Sequence, residues 1–530
     1  MTMRKTGLLL LLLTLPALTA AARPALSAHI TAPPVLDDQF RGVWRVTLSN
    51  SSAAAMSVPF SLSVYINNVA QPFLSFPDGA GCTIAYAGLA QCTAGVPANG
   101  SRVLEFPLQH STRYGRASVL LGATSPVENI DVHEWEYAVF GRPYLVTNTD
   151  DTGPGSLRQA ILDVNRDCTG QEPCAIEFAI ASPVPAEGWF TIAPRFPLPA
   201  VTSYDMILDG GSQTRFSGDT NPLGPEIVLD GSLSELPAAQ SDGLTFHGVF
   251  NACRDLVIGG FPGNGINSST LASLVVRDAY IGVDPTGRKA MANGRRGVKV
   301  SAGGLSLTHS VLSGNARAGA YIVTNDSVDV RGNLIGVGAD GVTPIGNGAS
   351  GLFFHKTVID YHIAGASENV IAHNAQAGIA LSLAAVGNFA ENDFHDNGGQ
   401  AIDVGIDGPT SARNGFLGQG GVLGAPAILS AHYENGVTTI RASFSGGSNG
   451  SRVYTYVELY ASHRLDGAGD PEGEEWLGRV ETHGLDEVEL KVNGDLRGRY
   501  VSASLFGYYA YNFEDAAPAT SELGPARLVD

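Results

Sequence analysis

The sequence predicts an all-β protein built around a β-solenoid, with a β-sandwich on either side of it. Three observations lead to this prediction. Short apolar segments repeat at about 22 residues through the middle of the chain. One amphipathic helix is predicted directly before these repeats, at 157–165. Both ends of the chain alternate apolar and polar residues in short runs between turn residues, which is typical of sandwiches.

Composition excludes several classes of partner. The chain has 530 residues, of which 65 are glycine, and a formal net charge of −19. So many glycines indicate many tight turns. An acidic protein repels nucleic acid and anionic lipid, so we expect neither as a partner. The length allows several domains, and we expect a monomer.

Residues 1–28 have the features of a secretory signal peptide. Arg4 and Lys5 precede the apolar run GLLLLLLTLPALTA, and small residues follow up to Ala28. The run is too short to cross a bilayer comfortably. We therefore expect the segment to be removed, leaving a secreted or cell-surface protein without a transmembrane segment.

Five cysteines are consistent with an oxidising compartment. Cys82 and Cys92 lie close together in the sequence, as do Cys168 and Cys174. Each pair is expected to form a disulfide. Cys253 is left over, and its simplest role is that of a small buried apolar residue.

Residues 29–140 are predicted to form the first β-sandwich. Alternating runs such as VWRVTLSN and FSLSVYINN are separated by turn residues at sandwich spacing. The stretch DGAGCTIAYAGLAQCTAGVPANGSRVLEFPL, with its paired cysteines, resembles the Ig-like repeat domains of bacterial surface proteins. The resemblance implies an Ig-like sandwich.

Repeated segments in the central region predict one face of the solenoid. They are GVKVS (297–301), GAYIV (319–323), GLFFH (351–355), GIALS (378–382) and QAIDVG (400–405). Two of their columns are apolar at every repeat and should face the core: Val298, Ala320, Leu352, Ile379 and Ile402, and then Val300, Ile322, Phe354, Leu381 and Val404. Asparagines repeat too, and we expect stacks of Asn369 on Asn392 and of Asn315, Asn374 and Asn397.

The predicted helix suits the end of such a solenoid. It begins with a capping box of Ser156 and Gln159. Its apolar face is formed by Leu157, Ala160, Ile161 and Val164. The first turn of a solenoid exposes unpaired backbone groups and an open core. We therefore predict that this helix caps that turn.

Several motifs resemble secreted bacterial right-handed parallel β-helix proteins. YLVTNTDDTGPGSLRQAILDVN (144–165) is similar to their strand-plus-helix start, and AYIGVDPTGRKAMANG (279–294) and NLIGVGADGVTPIGNG (333–348) are similar to their insertions. NDFHDNGGQAIDVGIDG resembles their last turn. The resemblance implies a right-handed parallel β-helix over 141–424. The alternation in 425–530 resembles the sandwich that follows the helix in the same family, and its position suggests a second cap.

An aromatic pair on the outward side of the aligned strands is the first candidate site. Tyr321 should stack on Phe353, beside His355, and exposed rings on a flat sheet can hold a sugar ring or an apolar side chain of a partner. The alternative is a stack that only stabilises the coil. The outward columns contain no pair of acids on adjacent repeats, so a glycosidase on this face is not supported.

A second candidate is a group of acids and histidines near the last repeats. The candidate catalytic residues are His373, Asp393, His395, Asp396 and Asp403, with Glu391 and Asp407 nearby. His373 should lie next to Asp396. Such a group could perform acid–base chemistry or bind Ca²⁺. The alternative is a set of solvated turn residues on an acidic protein, with no metal site.

These observations favour a secreted or surface-associated binding, adhesion or scaffold protein that engages extracellular glycans or surface proteins without catalysis. The alternative is an extracellular polysaccharide lyase or glycoside hydrolase with its site on the last repeats. A structural surface protein without a ligand is the third interpretation. Fold alone does not decide between them.

Overall fold

The fold was established from a computed structural model. The residues it describes are 26–31, 39, 41–66, 69–86, 88–110, 115–125, 130–168, 170, 173–181, 183–235, 241–269, 273–324, 326–355, 364–382, 387–389, 391–406, 414–417, 421–444, 451–466, 469–482, 487–510 and 517–530.

The N-terminal part consists of antiparallel strands. They are β1 (Leu26–Thr31), β2 (Arg41–Asn50), β3 (Met56–Ile66), β4 (Val69–Ala70), β5 (Thr83–Tyr86), β6 (Leu89–Val96), β7 (Gly100–Gln109), β8 (Gly115–Ser125) and β9 (Ile130–Phe140). One sheet has the order β1-β2-β7 and the other the order β5-β6-β3-β8-β9. The two sheets share one apolar core, which includes Trp44 and Phe60. This arrangement is a two-layer sandwich, and its Ig-like character stays a prediction.

The first strand begins earlier than the predicted end of the signal peptide. Residues 26–28, which we assigned to that peptide, pair with β2, and Leu26 is buried. Its side chain has a place in the sandwich core, which is why the strand extends this far. Residues 1–25 of the predicted signal peptide lie outside the described residues.

The central part winds through short parallel strands. In chain order they are β10 (Arg142–Val146), β11 (Cys174–Phe178), β12 (Phe190–Ile192), β13 (Met206–Asp209), β14 (Ile227–Asp230), β15 (Leu244–Phe246), β16 (Asn251–Arg254), β17 (Val257–Gly259), β18 (Ile266–Ser268), β19 (Leu274–Arg277), β20 (Tyr280–Ile281), β21 (Val298–Val300), β22 (Leu305–Thr308), β23 (Val311–Leu312), β24 (Ala320–Ile322), β25 (Val328–Arg331), β26 (Leu334–Ile335), β27 (Leu352–Phe354), β28 (Ala364–Ser367), β29 (Val370–Ala372), β30 (Ile379–Leu381), β31 (Asp393–His395) and β32 (Ile402–Val404).

These strands form three stacked parallel sheets, as a β-solenoid requires. Sheet A has the order β10-β11-β13-β16-β19-β22-β25-β28, sheet B the order β12-β14-β17-β20-β23-β26-β29-β31, and sheet C the order β15-β18-β21-β24-β27-β30-β32. The predicted alignment of the central repeats is the register of sheet C, in which Val298 pairs with Ala320, then Leu352, Ile379 and Ile402. The right-handed winding stays a prediction.

Two buried ladders of asparagine run between the sheets. In one, Asn293 donates to Asn315, Asn315 to Asn347, Asn347 to Asn374 and Asn374 to Asn397, at 2.9–3.0 Å. The predicted direct stacking of Asn315 on Asn374 is therefore wrong, because the intervening turn of the solenoid contributes Asn347. The other ladder continues from Asn333 through Asn369 to Asn392, and its last step of 2.8 Å was predicted.

The helix before the solenoid is α1 (Leu157–Asp167), and it packs on the first turn. The hydroxyl of Ser156 accepts a hydrogen bond from the backbone N–H of Gln159, which is one half of the predicted capping box. The other half is not formed, because the side-chain amide of Gln159 donates to Asp163 and the backbone N–H of Ser156 donates to Gly153. Leu157, Ile161 and Val164 are buried in the solenoid core. The sequence did not predict a second helix, α2 (Gly211–Ser217), or a 3₁₀ helix at Gly231–Leu233. α2 is short and lacks a side-chain cap, so it leaves no sequence pattern.

The C-terminal part is again antiparallel. Its strands are β33 (Asn414–Leu417), β34 (Gly421–Gly424), β35 (Ala427–Glu434), β36 (Val437–Ser443), β37 (Ser451–Ser462), β38 (Glu475–Glu481), β39 (Glu487–Asn493), β40 (Tyr500–Ala510), β41 (Ala517–Thr520) and β42 (Arg527–Leu528). The sheets β35-β36-β39 and β38-β37-β40-β41 enclose a core of their own.

This C-terminal sandwich closes the last turn of the solenoid. Tyr460, Trp476 and Leu523 pack into the solenoid core rather than into the core of the sandwich. The backbone N–H of Phe394 in β31 donates to the carbonyl of Gly473 at 2.9 Å. The open end of sheet B therefore gains both apolar cover and a backbone partner.

Cys82 is bonded to Cys92, and Cys168 to Cys174, while Cys253 is free and buried. No helix within the described ranges is long and apolar enough to cross a membrane.

Candidate functional site

The outer face of sheet C brings the predicted aromatic residues together. Each strand of this sheet has three residues, with the first and third buried in the core of the solenoid. The middle residue must then point outward, because side chains alternate along a strand. Lys299, Tyr321 and Phe353 are these middle residues, and they are direct neighbours on β21, β24 and β27.

The rings on this face form a stacked platform, a name used below for Tyr321, Phe353 and His355. The ring centroids of Tyr321 and Phe353 are 5.0 Å apart, with 23° between the ring planes. His355 lies 6.2 Å from the ring of Tyr321 and 6.1 Å from that of Phe353, again in stacked orientation. Tyr321 and Phe353 are partly exposed and His355 is exposed. The rings of Tyr321 and Phe353 thus cover part of each other and leave an apolar, partly exposed surface on a rigid sheet, although its role in binding stays a prediction.

An arginine that the sequence analysis missed extends the platform. The guanidinium carbon of Arg296 lies 4.1 Å from the ring centroid of Tyr321, which is a close cation–π contact. Arg296 belongs to the turn before β21, where side-chain direction does not follow from strand alternation. The sequence feature that could have identified Arg296 is the Arg-Arg pair at 295–296, which directly precedes the glycine of an aligned repeat.

The predicted group of acids and histidines forms a second cluster at the end of sheet B. His373 and Asp396 occupy equivalent left-handed turn positions on adjacent turns of the solenoid, with φ of 57° and 56°. His395 Nδ1 lies 3.1 Å from Asp396 Oδ2, and His373 Nδ1 lies 4.0 Å from the same oxygen. The imidazole rings meet edge to face at 5.2 Å. The structure therefore brings together three of the predicted residues.

The C-terminal sandwich lies against this His/Asp cluster. Arg464 forms an ion pair with Asp396, and the backbone N–H of Asp396 donates to Glu472 at 3.0 Å. The neighbouring Asp393 accepts a hydrogen bond from the backbone of Trp476 at 3.1 Å, and Glu391 pairs with Arg479 at 3.1 Å. Several of the predicted carboxylates thus hold one domain against the other.

The surroundings of the cluster lower the pKa of both imidazoles. Burial lowers the pKa of His373, and the nearby charges of His395 and Arg464 lower it further. Burial also lowers the pKa of His395, against the opposing effect of the carboxylates of Glu472, Glu474 and Asp393. Neutral imidazoles can accept a proton or bind a metal. The cluster can therefore offer bases close to a carboxylate.

The donor set of the cluster does not fit Ca²⁺. One ligand atom from each of His373, His395 and Asp396 lies within 4.8 Å of the others. Ca²⁺ takes six to eight oxygen ligands. Two of these three donors are nitrogens, and the carboxylate already pairs with Arg464.

Two of the predicted residues lie elsewhere. Asp403 is the middle residue of β32 in sheet C, only 9% exposed, and pairs in register with Ala380. It belongs to a different sheet from Asp393 and His395, so the sequence-predicted group is divided between two faces. Asp407 lies outside the described residues.

Comparisons with known proteins give no family. No protein-family model matches the chain. No curated protein matches it either. The A-module of mannuronan C-5 epimerase AlgE4 from Azotobacter vinelandii is 15% identical, with 49% of this chain aligned to 74% of that chain at a TM-score of 0.29. A calcium-binding mutant of β-glucuronidase 2 from Bacteroides uniformis is 8% identical, with 95% of this chain aligned to 60% of that chain at a TM-score of 0.17. TM-scores this low support no inference about the activity of this chain.

Proposed function

We propose that this protein is an extracellular, non-catalytic binding protein whose platform on sheet C holds the sugar rings of a glycan. The stacked, partly exposed rings of Tyr321 and Phe353 are the observation that supports the proposal. Apolar rings that are held in place on a rigid sheet suit the apolar C–H groups of a sugar, because little side-chain freedom is lost on binding. Disulfides and the N-terminal sequence support export from the cytoplasm.

A glycan-array screen followed by titration calorimetry tests this proposal. The Tyr321→Ala/Phe353→Ala variant should lose at least about tenfold in affinity, since each ring contributes stacking energy and apolar contact. The matched control is Phe196→Ala/Phe216→Ala, which removes two exposed rings elsewhere on the solenoid, 54% and 52% exposed. Equal affinity of both variants and the wild type for every glycan that binds would refute the platform as the site.

The second candidate function is a polysaccharide lyase or glycoside hydrolase centred on the His/Asp cluster. It is favoured by the approach to Asp396 of two imidazoles whose pKa burial lowers. Incubation of the protein with the same polysaccharides, with reducing ends and unsaturated products measured, distinguishes the candidates. Product release that is lost in His395→Ala would establish the enzyme and displace the binding proposal.

A further inference from the structure

Four cations lie on the β21 side of the platform on an otherwise acidic protein. Arg295 and Arg296 precede β21, Lys299 is its middle residue, and Arg317 precedes β24. Among the described residues, no carboxylate lies within ion-pair distance of any of the four side chains, although the chain carries a net charge of −19. Within the described part of the chain, none of these four cations is therefore neutralised by a direct ion pair.

The cations also repel one another. Arg296 is partly buried against Tyr321. Burial lowers the pKa of its guanidinium, and the charges of Arg317 and Arg295 lower it further. An anion placed on this face would relieve the repulsion and gain charge-assisted hydrogen bonds. Charges beyond about 8 Å are screened at physiological ionic strength, so this local excess outweighs the net negative charge of the whole protein.

The spacing of the strands indicates a ligand longer than one sugar. Adjacent strands of a sheet lie about 4.8 Å apart, so the strands β21, β24 and β27 spread the cations and rings over about 10 Å. The cations lie towards β21 and the rings towards β27. An elongated ligand that runs across the strands would meet both.

Resting on the proposed function, we infer that the ligand is an acidic polysaccharide. Its carboxylates pair with the cations Arg295, Arg296, Lys299 and Arg317, while its sugar rings contact the exposed parts of Tyr321 and Phe353. The carboxylate is the group that a guanidinium binds through two parallel hydrogen bonds. A polyanion without sugar rings would contact the cations but leave the platform unused.

Calorimetric titration with oligogalacturonate and with its fully methyl-esterified form tests the inference on the full chain. We expect the free acid to bind at least about tenfold more tightly than the ester. Its affinity, and not that of the ester, should fall as NaCl is raised. Arg296→Gln/Lys299→Gln should lose about tenfold for the acid alone. Arg288→Gln/Lys289→Gln is the matched control, because these cations are exposed and lie away from the platform.

Two kinds of failure can be distinguished. If Tyr321→Ala/Phe353→Ala abolishes binding while acid and ester bind alike, the proposed function stands and the acidic ligand is refuted. If neither double variant changes the affinity for a glycan that binds, the proposed function and the acidic ligand are both refuted. Tighter binding of dextran sulfate or of single-stranded DNA than of oligogalacturonate would overturn the assignment of a carboxylated glycan. The salt dependence of the wild type provides a test that needs no variant to fold.

Discussion

The buried carboxyl of Glu458 shows how a single residue can make stability depend on pH. It lies in β37 where the C-terminal sandwich meets the solenoid, and the indole N–H of Trp476 donates to it at 2.5 Å. Burial raises the pKa of Glu458 to about 8, and the charge of Glu391 acts in the same direction. Between the unfolded pKa of 4.5 and a folded pKa of about 8, the folded protein holds more protons than the unfolded protein.

Stability should therefore decrease as pH rises through this window. The contribution of Glu458 is fully present below pH 4.5 and is lost as the pH passes about 8. The free energy of unfolding of the wild type should fall by a few kcal/mol between these two pH values. We predict that this fall is absent in Glu458→Gln, which retains an acceptor for Trp476. Urea unfolding at several pH values measures this, with Glu434→Gln, an exposed glutamate of the same domain, as the control. Parallel pH profiles for wild type and Glu458→Gln would contradict the prediction.

Alternation placed residues on strands from the sequence, whereas residues in turns could be placed only where aligned repeats relate them, as for His373 and Asp396. Tyr321 and Phe353 were predicted as outward neighbours because alternation fixes the side-chain direction once the repeats are aligned. Arg296 lies in a turn, where no period relates sequence position to direction. The cation that contacts Tyr321 was missed for this reason, although the aromatic rings were predicted.

At the scale of elements, α1 protects the first turn of the solenoid. Ile161 is 1% exposed and belongs to the solenoid core, whereas the adjacent Leu162 is 47% exposed. We predict that Ile161→Ala lowers the free energy of unfolding by about 2–5 kcal/mol, since it leaves a cavity under the cap. Leu162→Ala should change it by no more than about 0.5 kcal/mol.

Chemical denaturation of both variants, together with light scattering, measures the effect. Ile161→Ala should also increase association at micromolar concentration, because an uncovered strand edge pairs with other chains. A loss of stability in Leu162→Ala as large as that in Ile161→Ala would show that the helix does not act as a cap.

Insertions limited what the repeats could predict about whole elements. The register of sheet C was predicted over five strands, because two apolar columns recur in all five and a glycine directly precedes four of them. The ladder of Asn315 was predicted with two members missing, Asn293 at its start and Asn347, which follows an insertion that interrupts the period. α2 and the strands of the early turns have no repeat to which they can be compared.

At the scale of the whole molecule, the end of the solenoid is completed by residues that are distant in sequence. Trp476 and Leu523 enter its core, and Arg464 pairs with Asp396. No local pattern reveals such contacts, so the sequence predicted the candidate catalytic cluster and a C-terminal sandwich as a second cap, but not that the sandwich contacts the cluster. The platform on sheet C is formed within the solenoid alone, and most of it could be predicted.

The crystal structure of the protein with a bound oligogalacturonate tests the central claim most directly. We predict sugar rings over Tyr321 and Phe353, with carboxylates at Arg296 and Lys299. A ligand bound at His373, His395 and Asp396 instead, with the platform bare, would contradict the binding proposal and favour catalysis at the end of sheet B.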